Sequence, residues 1–190
     1  MNRTYREGEK YEGIAYQKKE LVNGEYENCI FHNCKFSACD FHDIIFVDCE
    51  FQECDFSMAN LKSASFRDVK FKRCKMLGLR FDECNTMMLS FSFQGCVLNF
   101  SSFHKLKLKG IVFKECTLEE VEFAEADLTN AQFDHCDLKR ASFENTILAN
   151  ADFRSASNYS IDPERNKLKK TRFSWPGVIG LLDKHDIIIE

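Results

Sequence analysis

Large apolar residues recur along this chain at every fifth position. Tyr26, Phe31, Phe36, Phe41, Phe46, Phe51, Phe56, Leu61, Phe66, Phe71, Met76 and Phe81 form one series, which breaks in type at Thr86 and resumes at Phe91. A second series starts two residues out of phase at Phe93. It runs through Leu98, Phe103, Leu108, Phe113, Leu118, Phe123, Leu128, Phe133, Leu138, Phe143, Leu148 and Phe153. A five-residue period suits neither a helix, with its period of about 3.6, nor a strand, with its period of about 2. In a straight strand every second phenylalanine would face water. The chain must therefore turn once per repeat, so that each of these central residues points back inside. Short sides that close into coils and stack predict a solenoid.

The cysteines suggest the coil length. All ten, at 29, 34, 39, 49, 54, 74, 84, 96, 116 and 136, sit two residues before a central position. Five pairs are separated by four repeats (29/49, 34/54, 54/74, 96/116 and 116/136), against three pairs each for separations of one repeat and of two. Four such sides make one coil, in which residues on the same side stack. The Phe, Leu alternation after Phe93 agrees, since opposite walls would then carry the same residue type.

The unit A/C-(D/N/x)-(L/F)-x-x, as in CDLKR (136–140), ADFRS (151–155) and ADLTN (126–130), resembles the pentapeptide-repeat proteins over roughly residues 11–173. The resemblance implies an all-β fold, a right-handed quadrilateral β-helix with four repeats to each coil. It also implies that the central residue and the small residue two before it point inward, with the other three facing solvent. The expected organisation is an N-terminal cap and degenerate first coil over 1–24, in which Tyr11, Tyr16 and Leu21 keep the phase but their small positions read Glu9, Ile14 and Lys19. Residues 1–10 read as a polar cap or a loose end. A first run of repeats covers 25–92, and a second run, shifted by two residues, covers 93–173. A capping or dimerisation tail covers 174–190.

At inward positions cysteine behaves as a small hydrophobe. Strands about 4.8 Å apart would bring Cys34, Cys54 and Cys74 into one column. No C-x-x-C pair exists, and no histidine is spaced near the cysteines as in a zinc finger, so packing is the expected role rather than metal or redox work. His32, His42 and His104 directly follow central residues, His135 is one further on, and all four should lie outside the coil. No Ser/His/Asp order, phosphate-binding glycine loop or inward carboxylate pair is evident, so neither catalysis nor a cofactor is expected.

Composition places limits on the class. Hydrophobic residues make up 44% and charged residues 29%, as in a soluble globular chain. Only 8 Gly and 2 Pro accompany 19 Phe, too few turn formers for an ordinary hairpin protein. No run of 18 apolar residues exists, and MNRTYREGEKYEG is polar and charged, so the expected location is the reducing cytoplasm.

Two irregularities remain. The phase slip falls in NTMMLSFSFQG (85–95) and reads either as a bulge in one wall or as a protrusion presenting Met87 and Met88 to a partner. The tail SWPGVIGLLDKHDIIIE reads as a short helix, with Ser174 as cap and Pro176 in its first turn, followed by a strand at Ile187–Ile189. It either plugs the solenoid or joins two copies. The family resemblance favours the homodimer, with Trp175, Val178, Leu181, Leu182, Ile187, Ile188 and Ile189 as the candidate interface.

Charge is banded. Residues 25–60 carry eight acids and one base (net −7), residues 61–80 seven bases and one acid (net +6), and residues 111–153 ten acids and three bases (net −7). Such charge reads first as a solvated surface. The chain also resembles the quinolone-resistance (Qnr-type) subgroup, which implies a dimeric DNA mimic that binds DNA gyrase or topoisomerase IV. Glu115, Glu119, Glu120, Glu122, Glu125, Asp127 and Asp134 are then the candidate partner surface. Drug protection is not expected, because the chain lacks that subgroup's long loops and its basic band interrupts the mimic. A rigid scaffold with another protein partner is the alternative. Direct nucleic-acid binding through Lys62, Arg67, Lys70, Lys72, Arg73, Lys75 and Arg80 is opposed by the net charge of −4.

Overall fold

A central residue that points inward and a corner two residues later define each side of the coil. The computed structural model describes residues 4–16, 21–185 and 187–188. It is a right-handed quadrilateral β-helix whose strands are all parallel to their neighbours one coil away. Wall one carries a four-stranded sheet of β1 (Thr4–Glu7), β3 (Gly24–Glu27), β5 (Ile45–Val47) and β7 (Ser65–Arg67). Wall two carries a seven-stranded sheet of β2 (Lys10–Glu12), β4 (Ile30–His32), β6 (Glu50–Gln52), β8 (Val69–Lys72), β9 (Phe91–Gln94), β10 (Val112–Lys114) and β11 (Gln132–Asp134). Walls three and four are joined by single bridges such as Lys35 with Asp55 and Arg80 with Ser102.

The central residues fill the interior as columns. On wall two, Tyr11, Phe31, Phe51, Phe71, Phe93, Phe113, Phe133, Phe153 and Phe173 form an unbroken stack, with ring centroids 4.6 to 5.5 Å apart. Rings on adjoining walls meet edge to face, as with Phe51 and Phe56 at 5.0 Å. Offset-stacked and edge-to-face contacts are the arrangements the ring quadrupole favours.

Corners explain the polar letters of the repeat. The residue two after most central positions is left-handed, for example Asn28 (φ 51°), Asp48 (φ 50°) and Asn130 (φ 60°). Asn and Asp tolerate that conformation better than most residues. The Asp or Asn just before a central residue accepts a hydrogen bond from the backbone N–H two positions on, as Asp137 does from Lys139 (3.1 Å) and Asp127 from Thr129 (3.1 Å).

The first coil begins earlier than the hydrophobic pattern suggests. Thr4–Glu7 is not a loose end but pairs residue for residue with Gly24–Glu27, which puts Arg6 at a central position over Tyr26. A guanidinium is tolerated there because the outer side of an end coil faces water, and it reaches Glu9 at 3.4 Å. Lys19 lies outside the described residues.

At the slip, Phe81 stacks on Phe103 (4.6 Å) and Phe71 on Phe93 (5.3 Å), each pair a full coil and two positions apart. The two extra residues are taken up on wall one, between Asn85, whose N–H donates to the Ala64 carbonyl at 2.9 Å, and Ser90, whose N–H donates to the Phe66 carbonyl at 2.9 Å. There Asn85 accepts a hydrogen bond from Met87 N–H, and both Met87 and Met88 are exposed. Walls two and three pass the slip without interruption.

Candidate interaction surfaces

The cysteines belong to the interior. Cys34, Cys54, Cys74, Cys96, Cys116 and Cys136 follow one another up the rod two residues before the wall-three positions, all buried and all reduced. Each of Cys54, Cys74, Cys96 and Cys136 donates its thiol hydrogen to the carbonyl of a wall-two phenylalanine in the coil below, at 3.4 Å. Burial pushes the Cys49 thiol up to about 12 and the Cys74 thiol up as well, so neither is a ready nucleophile. Among the described residues, no group of three or more His, Cys, Asp or Glu side chains is arranged to hold a metal. Nor is any helix there long and apolar enough to cross a membrane.

The seven candidate acids are not brought onto one face. Glu115 lies at the corner between walls two and three, Glu119 on wall three, and Glu120 at the next corner. Glu122 lies on wall four, Glu125 at the corner to wall one, Asp127 on wall one and Asp134 on wall two. Together they form a girdle. Most are paired with a base one coil away: Glu119 with Lys139 (3.0 Å), Glu120 with Arg140 (2.9 Å), and Glu125 with Lys105 (3.4 Å). Asp127 meets Lys109 at 3.4 Å, and the His135 imidazole beside Asp134 holds that carboxyl below its ordinary range. The basic band is likewise dispersed, with Lys72 on Glu50 (2.7 Å) and Arg73 on Glu53 (2.8 Å). Partners one coil apart were the missed signal: reading charges at the coil period pairs Glu119 with Lys139 and Glu53 with Arg73 directly.

The tail docks in a way the apolar stripe does not suggest. Its helix is of the 3-10 type, over Pro176–Leu181, followed by a second short 3-10 turn at Asp183–His185. Ser174 does cap it, accepting a hydrogen bond from Gly177 N–H at 3.2 Å. Gly177 and Gly180 face Tyr159: a Cβ at Gly177 would lie 2.0 Å from the Tyr159 hydroxyl, and one at Gly180 would lie 2.1 Å from its backbone oxygen. Ile161 N–H donates to the Gly180 carbonyl at 2.9 Å, and Lys184 binds Asp162 at 2.7 Å. Leu181 packs on the core and Leu182 is half-buried, whereas Trp175 and Ile188 are each 89% exposed and Val178 and Ile187 are also exposed. Ile179, 49% exposed, is a further exposed apolar residue of the tail and was not singled out from the sequence. Ile187 and Ile188 form no strand, and Ile189 lies outside the described residues. Pro163, Val178, Leu181, Leu182, Lys184 and His185 line a groove of about 250 Å³.

The repeat, the four walls and the inward small residues define a pentapeptide-repeat solenoid. The model of the pentapeptide repeat region matches residues 19–92, 44–123 and 85–162, and the chain belongs to that family. Among solved structures, a trypsin-treated variant of QnrB1, a plasmid-mediated fluoroquinolone resistance protein, is similar with a TM-score of 0.64 at 17% identity, covering 98% of this chain and 100% of that one. HetL, a pentapeptide repeat protein involved in heterocyst differentiation regulation from the cyanobacterium Nostoc sp. strain PCC 7120, is similar with a TM-score of 0.51 at 15% identity, covering 90% of this chain and 89% of that one. At these identities the likeness is one of fold. No curated protein matches the chain in sequence.

Proposed function

We propose that this chain is a non-enzymatic, cytoplasmic protein-interaction rod that pairs with a second copy through its tail. The observation that carries the reading is the set of exposed apolar side chains in the tail, Trp175, Ile179, Ile187 and Ile188, left uncovered by a helix that docks through glycines instead. Exposed apolar clusters with an aromatic anchor mark association sites. The tail lies at one end of the rod, so a two-fold contact there gives a rod of double length. Sedimentation equilibrium tests it. The native chain should dimerise with a dissociation constant of about 1 µM or tighter. The Trp175→Glu/Ile188→Glu double variant should be monomeric with its far-ultraviolet circular dichroism unchanged. A native chain that stays monomeric refutes the pairing.

The likeness to QnrB1 along nearly the whole chain favours DNA gyrase or topoisomerase IV as the partner. The paired, girdling acids favour a protein-docking surface over a continuous imitation of DNA, and competition over rescue of a drug-poisoned enzyme. A supercoiling assay with purified protein decides. Inhibition relieved by added DNA supports the topoisomerase reading, and an unaffected enzyme leaves the scaffold with another protein partner.

A further inference from the structure

The corner between walls three and four carries Ala38, Met58, Gly78, Phe100, Glu120 and Arg140 at its left-handed positions. Two of these are large, apolar and exposed: Met58 at 69% and Phe100 at 57%. Both sit at positive φ, +59° and +63°, a conformation that disfavours bulky side chains. Neither core packing nor backbone preference accounts for them. Between the two, Gly78 is left-handed without a side chain, and only the flexible Met58 thioether reaches over it, its Sδ 2.9 Å from where a Cβ would stand. On wall three, Leu77 and the partly exposed Val97 widen the apolar strip. Lys75 on wall three and Arg80 on wall four flank it, and Lys62 stands in the turn of the next corner, beside the left-handed Ser63; all three bases are exposed. Arg80 is held by Asp82 at 2.6 Å, while Lys62 and Lys75 form no ion pair among the described residues.

We propose that this corner docks an acidic amphipathic helix of a partner protein. Met58 and Phe100 lie two coils apart, about 10 Å along the rod at the strand spacing. On a helix, residues i and i+7 are about 10.5 Å apart on one face, and residue i+3 or i+4 falls midway, opposite the notch at Gly78. Same-face residues of an extended strand recur at about 7 and about 13 Å, which matches neither anchor spacing. The unpaired lysines select carboxylates on the flanks of that helix and disfavour a basic one. The inference deepens the protein-interaction reading but uses none of the tail, so a monomeric chain would refute the pairing and leave this docking standing.

The test uses the full chain and a fluorescein-labelled peptide of about 18 residues, with leucines on one helical face and glutamates on the other. Anisotropy should report binding that weakens by about tenfold or more in the Met58→Asn/Phe100→Asn double variant. Asparagine tolerates left-handed backbone, so this variant should melt no lower than the native chain. The Lys62→Glu/Lys75→Glu variant should lose the acidic peptide and gain its lysine counterpart. Native binding no tighter than that of a scrambled peptide of the same composition overturns the proposal. So does undiminished binding by the asparagine variant. Displacement of the peptide by an equal concentration of single-stranded oligonucleotide overturns it in favour of plain charge attraction.

Discussion

The rod is built differently on the two sides of the slip. Upstream, one coil presents Tyr26, Phe31, Phe36 and Phe41, rings on all four walls. Downstream, phenylalanine keeps walls two and four, as at Phe113 and Phe123, while leucine takes walls one and three, as at Leu108 and Leu118. The corner after wall one changes with it. Upstream, that corner is open and its flanking residues are strands, β3 and β4 among them. Downstream, it closes into hydrogen-bonded turns, with Ala131 N–H donating to the Leu128 carbonyl at 3.0 Å and Ala151 N–H to that of Leu148 at 3.0 Å. A β-turn holds its ends within about 7 Å, so an open corner lengthens the perimeter. Four rings across one coil need that length, and two rings facing two leucines do not. Wall two keeps an aromatic ring throughout, and the corner after it carries no such turn from Phe31 to Phe133, closing only at Phe153, where Ala156 N–H donates to the Phe153 carbonyl at 3.1 Å.

The largest expected effect is a cavity in the crowded half. Phe51→Ala removes a ring stacked on Phe31 and Phe71 and edge-on to Phe46 and Phe56, and should cost about 4 kcal/mol in urea unfolding. Leu118→Ala in the roomier half should cost about 3 kcal/mol. Equal losses would mean that the ring contacts add nothing beyond volume.

Overpacking probes the same contrast from the other direction. Leu118→Phe should cost about 1–3 kcal/mol, because the closed corner after wall one leaves no spare perimeter. Leu61→Phe, in a coil where that corner is open, should cost less than about 1 kcal/mol. Reversed magnitudes would sink the account of corner length.

A third test separates the tail from the coils beneath it. Gly180→Ala drives a methyl into the Tyr159 backbone and should undock the helix at a local cost of about 1–3 kcal/mol. Trypsin cleavage at Lys184 should accelerate while amide protection of the coils stays put. Acid acts the same way more weakly. The Lys184 hydrogen bond holds the Asp162 carboxyl below its ordinary range, so the bridge is present at neutral pH. It is lost only as pH falls through that lowered value.

The smallest effect is a gain. Left-handed corners in both halves hold Asn or Asp, as at Asn28, Asp43 and Asn130, and also charged residues, as at Glu53 and Arg73 upstream and Lys105, Glu125 and Lys170 downstream. Lys170→Gly at φ 59° should stabilise by up to about 1 kcal/mol, whereas Asn28→Gly should be nearly neutral. An equal gain at both would mean that asparagine holds no advantage over lysine at a left-handed corner.

The interior was legible because burial acts on one residue in five with a fixed period, so Phe31, Phe51 and Phe71 announce their shared wall. Cys74 and Cys96 were harder to join, since the slip adds two positions to their separation. Thr4–Glu7 escaped notice because Arg6 holds a central position where water replaces the missing neighbour. The surface was legible only in part. Charge bands in sequence became girdles, because each coil spreads its four repeats over four walls, and Glu119 spends its charge on Lys139. In the tail the apolar letters drew attention, but Gly177 and Gly180 make the contact, and closeness of approach leaves no hydrophobic signature.

The position of Trp175 has an optical consequence. It is the only tryptophan, set apart from the ring columns, against five tyrosines and nineteen phenylalanines inside or along the rod. Excited beyond the tyrosine absorption edge, the molecule emits from one end alone. Its emission colour, quenching by iodide and polarisation thus report whether that end is wet or covered, while the coils stay dark. The chain carries its own gauge of what sits on its tip.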